Sequence, residues 1–297
     1  MNQVEILKEL TKLYKLENTQ GYVNTYIKDV MFFKITSNED LMPLLYHRGF
    51  SFIGYGKKVG YIQDKKFEHN SNDFLIITSP QPIECETFTY DDCMLGIYIN
   101  LDMVRLNKIN LKLGKMVEFK INKKDTPFTV IKNKRTDAIE DTYYRLIKTL
   151  LSPIDSEILG EHLLDELYYK MLMSENGMIL HQLCQQDNNF SKVSSVVEYI
   201  HNNLKEKISA EDLSRMADMS VNNLHKIFKK AMNDTPIQYI KKIRLNKARQ
   251  LLLYDKMKAV DVSYEVGYDS PTQFNREFKR YFGVTPSKID SLGYKNF

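Results

Sequence analysis

Asp261–Pro286 reads DVSYEVGYDSPTQFNREFKRYFGVTP, and Asp212–Pro236 reads DLSRMADMSVNNLHKIFKKAMNDTP. The two stretches are copies of one unit. Ser220 aligns with Ser270, Leu224 with Phe274, Phe228 with Phe278, and Thr235-Pro236 with Thr285-Pro286, all at an offset of 50. One offset shared by capping, apolar and turn residues marks an internal repeat. The one-residue difference in length falls before the Ser.

Each copy predicts a helix-turn-helix: a short amphipathic helix, a tight turn, then a second helix capped by the Ser. Gly267 suits the left-handed backbone of such a turn. Phe274 and Phe278, at i and i+4, anchor the second helix of the later copy, and Leu224 and Phe228 do so in the earlier one. The opposite faces then present Asn222, His225 and Lys226, and Thr272, Asn275 and Arg276, as the expected base-reading residues. Asn, His, Lys and Arg can bond base edges or phosphates. Phosphate contacts are expected from Ser220, Lys229, Lys241, Lys242, Arg244, Ser270, Lys279 and Arg280, with Lys247 and Arg249 as further candidates.

A helix is expected from about Pro236 to Leu253, with Ile240, Ile243, Ala248 and Leu251 among its apolar positions. From Ile237 it would span about 26 Å at ~1.5 Å per residue. That length can hold two recognition helices about one duplex turn, ~34 Å, apart over successive major grooves. Charge points the same way. From Phe190 onward there are 19 Lys+Arg against 12 Asp+Glu, whereas residues 1–189 hold 23 against 26. A basic excess confined to one part of a chain suits a polyanion. Double-stranded DNA is therefore the expected partner. A rival reading makes the helical repeat a protein-docking module.

The length of 297 residues favours two domains. With 43% hydrophobic and 27% charged residues, the composition is that of a globular chain and excludes a collagen-like or mostly disordered one. No apolar run approaches the roughly 18 residues of a membrane span, and the charged N-terminal stretch lacks a signal-peptide core, so no membrane partner is expected. Cys85, Cys93 and Cys184 form no disulfide or metal pattern. Reduced thiols and a cytoplasmic location are the expectation.

Phe50–Ile53, Val59–Ile62, Phe74–Thr78 and Met94–Ile99 read as short strands punctuated by glycines and Ser79-Pro80, which predicts a small antiparallel barrel or sandwich. Leu113–Val130 is expected to add strand or loop. From Thr136 to Leu151, and from Asp155 to Gln185, apolar residues fall three and four apart. Pro153 divides the two into a helical hairpin, and Ser174–Gly177 can interrupt the second helix. Gln185–Phe190 is the candidate linker. Ser191 is expected to cap the next helix, and Ser209, with Asp212 three residues on, the one after it.

On these residues the C-terminal hundred positions resemble the DNA-binding domain of AraC/XylS-family transcription regulators. VSYEVGYDSPTQFNREFKRYFGVTPSKI closely resembles the family's signature region: the Gly-aromatic pair, the Ser before the recognition helix, the Phe-Lys-Arg-x-Phe-Gly run and the Thr-Pro after it. The first copy departs at the turn, with Asp218 where the second has Gly267. Leu44–Ile62, NDFLIITSPQPIECET and LGIYINLD resemble the regulatory domain of one branch of that family.

The resemblance implies an α+β chain. Residues 1–189 would be a regulatory and dimerisation domain, with a cupin-like barrel at about 20–130 and helices at about 136–185, and residues 190–297 the DNA-binding domain. It implies a DNA-binding regulator, an activator working beside RNA polymerase, a homodimer, and a small-molecule effector at the N-terminal domain. The expected pocket is lined by Phe50, Phe52, Ile53, Phe74, Ile76 and Tyr98, with Lys57 and Lys58 near its mouth able to receive a carboxylate. The expected dimer seam is Leu159, Leu163, Leu167 and Met171.

No catalytic residue, metal or cofactor is expected. His47 and His69 stand 22 positions apart, and no His-x-His, nucleophile elbow, zinc-protease motif or phosphate loop occurs. A cupin-like enzyme fused to a DNA-binding domain is the alternative that these absences disfavour.

Overall fold

The computed structural model describes residues 1–62, 65–114, 116, 130–184, 189–253 and 255–292. An N-terminal helix, α1 (Gln3–Leu13), opens on a capping box between Asn2 and Glu5. Nine strands follow: β1 (Gly21–Asn24), β2 (Val30–Ile35), β3 (Glu39–Tyr46), β4 (Gly49–Tyr55), β5 (Lys57–Ile62), β6 (Lys65–His69), β7 (Asp73–Ile77), β8 (Gln81–Phe88) and β9 (Met94–Asn100). Helix α2 (Met103–Gly114) and strand β10 (Val130–Lys134) complete this part. Leu113 therefore ends a helix and Val130 begins a strand; residues 117–129 of the expected strand or loop lie outside the described residues.

The strands form two antiparallel sheets, ordered β1-β2-β9-β4-β7-β10 and β3-β8-β5-β6, which face each other as an open barrel not closed by strand pairing among the described residues. The larger sheet is a middle layer. Phe32, Phe50, Phe52, Phe74, Ile76, Ile97 and Ile99 pack on the helices behind it. Phe33, Ile53, Leu75, Ile77 and Tyr98 pack toward the smaller sheet. Successive side chains alternate between faces, and here both faces are buried. Four of the six expected pocket residues, Phe50, Phe52, Phe74 and Ile76, thus lie in the helical core and not in the barrel interior; Ile53 and Tyr98 face inward.

Thr136 caps α3 (Asp137–Thr149), and Ser152 caps α4 (Pro153–Leu172), with Pro153 in the first turn where its missing N–H is harmless. Ser174–Gly177 separates α4 from α5 (Met178–Leu183). Leu163, Leu167 and Met171 are buried in this chain's own core, against the back of the sheet. They are not a subunit seam. Only Leu159 of that expected set is exposed, at 46%, and it neighbours Ile154 at 76% and Ile158 at 64% on the outer side of α4.

The remaining helices are α6 (Asn189–Asn202), α7 (Ala210–Met216), α8 (Val221–Met232), α9 (Pro236–Leu253), α10 (Ala259–Glu265) and α11 (Pro271–Phe282), with a final 3-10 turn over Pro286–Leu292. Helix α6 starts before Ser191, which is therefore not its cap; residues 185–188 of the candidate linker lie outside the described residues. Ser209 and Asp212 make the expected capping box on α7. Two cores occupy this region. One gathers Val196, Leu213, Leu224, Phe228, Tyr239 and Ile243. The other gathers Leu245, Leu252, Val262, Phe274, Phe278 and Ile289. Helix α9 gives its first half to one core and its second half to the other, so the repeat is two small units on one shared axle.

Candidate functional site

The two repeat units are built alike in backbone as well as in sequence. Ser220 accepts the amide of Asn223 at the start of α8, and Ser270 accepts that of Gln273 at the start of α11. The turns before them pass through left-handed residues, Asp218 at φ +50° and Gly267 at φ +82°. Asp218 takes the conformation of the glycine it aligns with; a short polar side chain makes that visit cheap. Both helices also end on left-handed residues, Asn233 and Gly283.

Leu224, Phe228, Phe274 and Phe278 are fully buried, each stabilising its unit by about 1.5–3 kcal/mol. That fixes the rotation of α8 and α11. Asn222, Lys226 and Lys229 are exposed on α8, and Thr272, Asn275, Arg276, Lys279 and Arg280 on α11. His225 differs: it is half-buried, and its Nε2 is sheltered without a hydrogen-bond partner among the described residues.

Three expected phosphate ligands have partners within the chain, Arg244 in the fold and Lys241 and Lys242 while still partly exposed. Arg244 donates Nε to the carbonyl of Leu204 (2.9 Å), Nη1 to that of Gly267 (2.7 Å) and Nη2 to that of Glu206 (2.7 Å). It staples the α6–α7 turn of the first unit to the α10–α11 turn of the second and is not available to a phosphate. Lys241 reaches the Glu277 carboxylate on α11 at 3.1 Å, and Lys242 reaches Asp234 at 2.7 Å. Glu277 is buried and also receives Tyr268 Oη and Gln273 Nε2. Burial alone would raise its pKa, but bonds from Gln273, Lys241 and Tyr268 hold it below the usual value. Neither the Arg244 staple nor the Glu277 cluster was foreseen. A charged residue inside an apolar helical stripe is the signal both carry.

A second feature lies between the barrel and α9. A cavity of about 580 Å³ is lined by Phe33, Leu44, Tyr46, Ile53 and Tyr98, with Ser51 and Lys58 from the barrel and Lys247 and Arg249 from α9. Lys58 is only 7% exposed. Its Nζ stands 5.8 Å from the centre of the Tyr46 ring, and among the described residues no carboxylate lies within ion-pair distance. Lys57, on the other face of the strand, pairs outside with Glu68 at 3.3 Å. Strand alternation thus separates the two lysines, one inward and one outward. Behind the wall, Ser51 Oγ donates to His69 Nε2 (3.3 Å), and His69 Nδ1 donates to Asp73 (2.5 Å). Burial pushes the His69 imidazole below its ordinary value against the pull of Asp73, so a neutral ring closes the barrel interior.

The helical units rest on the barrel through named contacts. Tyr239 Oη donates to the Pro80 carbonyl, Ser79 and Ser194 share a hydrogen bond at 3.0 Å, and Arg48 pairs with Glu198 at 3.3 Å. Leu45 of β3 packs into the first helical core.

Comparison with known proteins matches two family models. Residues 213–291 match a helix-turn-helix domain, and residues 26–179 match the AraC-type transcriptional regulator N-terminus. The chain belongs to the AraC-type transcriptional regulators.

Within this AraC-type chain, the sequence likeness to curated relatives is concentrated. The lactose operon transcription activator of Staphylococcus xylosus is 30% identical over 96 residues, 32% of this chain and 34% of that protein. The Msm operon regulatory protein of Streptococcus mutans is 30% identical over 107 residues, 35% of this chain and 38% of that protein. The chain thus matches about a third of the length of these relatives. Among solved structures, an apo variant of ToxT from Vibrio cholerae superposes with a TM-score of 0.62 over 91% of this chain and 99% of that one, at 12% identity. An unsaturated fatty acid-bound ToxT gives 0.59 over 90% and 96%, at 13% identity. At such identities the likeness concerns the fold, and it extends over both halves of this AraC-type chain.

Proposed function

We propose that the chain is a sequence-specific DNA-binding transcription regulator, an activator that stands beside RNA polymerase at a promoter in the cytoplasm. Residues 190–297 bind the duplex and residues 1–189 regulate. The observation that carries this reading is the pair of exposed recognition faces, on α8 and α11, held on one rigid axle. Helix α9 has 18 residues, so it is about 27 Å long, within reach of one duplex turn. Asn222 and Lys226 read one major groove, and Thr272, Asn275 and Arg276 the next. Lys229, Lys279 and Arg280 bind phosphates, and the exposed Ser220 and the partly exposed Ser270 lie beside the DNA backbone. Gel-shift titration against a randomised duplex pool tests this. Selection of one motif, with affinity falling steeply as salt rises, is the expected result; failure to enrich any sequence would contradict it.

The cavity supports an effector that is apolar with one acidic group. Its wall is aromatic and aliphatic on the side of Phe33, Leu44, Tyr46, Ile53 and Tyr98 and polar toward α9, with Glu39 and Asp255 also on its lining. The buried Lys58 ammonium is held there with no carboxylate in ion-pair distance among the described residues, a costly placement unless an anion completes it. One of the matched structures, that of ToxT, contains an unsaturated fatty acid. Such an effector touches barrel and α9 at once, so its binding biases how the DNA-binding half is presented. The subunits of a homodimer meet on the outer side of α4, where Ile154, Ile158 and Leu159 stand exposed.

A further inference from the structure

We propose that His47 and His201 form a proton-operated latch between the barrel and the helical units, closed when both rings are neutral and opened by acid. His47 follows β3 on the barrel, and His201 ends α6 on the other side of the junction. Their ring centres are 6.4 Å apart in an edge-on arrangement.

The hydrogen bonds fix the proton count in the closed form. Tyr239 Oη has one proton, and it goes to the Pro80 carbonyl, which can only accept. The 2.9 Å contact between Tyr239 Oη and His201 Nε2 must therefore be a bond donated by the imidazole. His201 is thus the Nε2–H tautomer, and an acid proton can add only at Nδ1. The chain of His201, Tyr239 and Pro80 crosses the junction and needs no charge.

The surroundings oppose a charge on either ring. Facing the pair are Tyr239 and Lys247 from α9, Tyr98 from β9, whose Oη donates to the His47 carbonyl at 2.5 Å, and the Arg48–Glu198 pair. Glu198 is the one anion in this group, and it is already turned to Arg48. Among the described residues no carboxylate lies within ion-pair distance of either imidazole. Burial pushes His201 down to about 3, with His47 adding to the effect. His47 is lowered as well, by its packing at the junction and then by Lys247, although the residue keeps an exposed edge. His47 already meets water in the closed form; once the junction parts, the half-buried His201 ring meets it too and returns toward 6.5. The open form therefore binds protons that the closed form refuses, and acid favours opening. With an open-state value near 6.5, His201 alone shifts the equilibrium about tenfold between pH 7.5 and pH 5.5.

The test is a distance measurement on the full chain. Spin labels at the exposed positions Lys134 on β10 and Lys230 on α8, with Cys93 and Cys184 replaced by alanine, report the separation of barrel and helices. A longer-distance population should grow about tenfold from pH 7.5 to 5.5. In His47→Gln/His201→Gln it should change less than twofold. Should that variant not fold, the labelled chain itself decides, because the His47 and His201 ring resonances must titrate over the same pH range as the distance. A distance distribution unaffected by pH, an equal response in the double variant, or rings that titrate elsewhere would each overturn the latch. His69 and His181 lie within the N-terminal half, so their protonation alters its stability without changing this distance.

Discussion

Arg244 Nη1 donates to the carbonyl of Gly267 at 2.7 Å, tying the axle helix to the left-handed turn of the second repeat unit. The same guanidinium holds the Leu204 and Glu206 carbonyls of the first unit. One side chain thus sets the two recognition helices relative to each other.

Gly267→Ala should expose this dependence. A methyl there would stand 2.7 Å from the Leu204 carbonyl and 2.8 Å from Arg244 Nη2, at φ +82°. A left-handed Ala costs about 1–2 kcal/mol even without a clash, so a loss of at least about 2 kcal/mol is expected from chemical denaturation of the full chain. Arg244→Lys should lose specific DNA affinity while keeping helix content by circular dichroism, because an ammonium cannot hold carbonyls on both units.

Arg276→Ala should weaken specific binding by about 1–3 kcal/mol, the worth of one bidentate base contact. Lys229→Ala should instead weaken binding to all sequences alike and reduce the salt slope by about one. Equal behaviour of the two variants in gel-shift titrations over a salt series would refute the division of roles.

On α4 the core and the outer side should separate cleanly. Leu167→Glu buries a carboxylate in the core and should unfold the N-terminal half. Ile154→Glu/Ile158→Glu should leave the fold intact and yield a monomer in sedimentation at micromolar concentration. A wild-type chain already monomeric there would rule out the proposed face.

Lys58→Met removes the buried ammonium at nearly constant volume. With a long-chain fatty acid as probe, the wild-type melting temperature should rise with dose. The variant should need at least tenfold more probe and, without ligand, be as stable as the wild type or more so. Equal responses would separate the cavity from any acidic ligand.

His69 gives the N-terminal half a pH dependence of known sign. The folded ring is held below 6.5, so under pH 6.5 the unfolded chain binds a proton that the folded one does not. Stability should therefore be full above pH 7 and decline as pH falls through 6.5. Calorimetry of the full chain should show this slope, and His69→Gln should flatten it.

The helical half was largely legible in the sequence because its signals are local. An i, i+4 aromatic pair, a capping Ser and a left-handed turn recur at one offset, and each follows from a few neighbouring residues. The barrel was legible as strands but not as faces. β4 and β7 are apolar on both sides, so alternation alone does not tell which parity faces the cavity, and Phe50, Phe52, Phe74 and Ile76 face the helices instead. The stripe of Leu163, Leu167 and Met171 posed the same ambiguity, since an apolar stripe fits an intrachain core as well as a subunit seam. The role of Arg244 is illegible for a further reason: its acceptors are backbone carbonyls up to 40 positions away, and side-chain identity carries no trace of them.

The most direct test of the central claim is the spacing of the two contacted half-motifs. Once a bound sequence has been selected, inserting roughly half a duplex turn, five base pairs, between the halves rotates one of them to the opposite side of the DNA. Because α9 and Arg244 fix the two recognition helices to one side, affinity at constant salt should fall to that of a single half-motif, and extending the insertion to a full turn should not restore it. Affinity that is unchanged by the five-base-pair insertion would contradict the claim that one chain reads successive major grooves with α8 and α11.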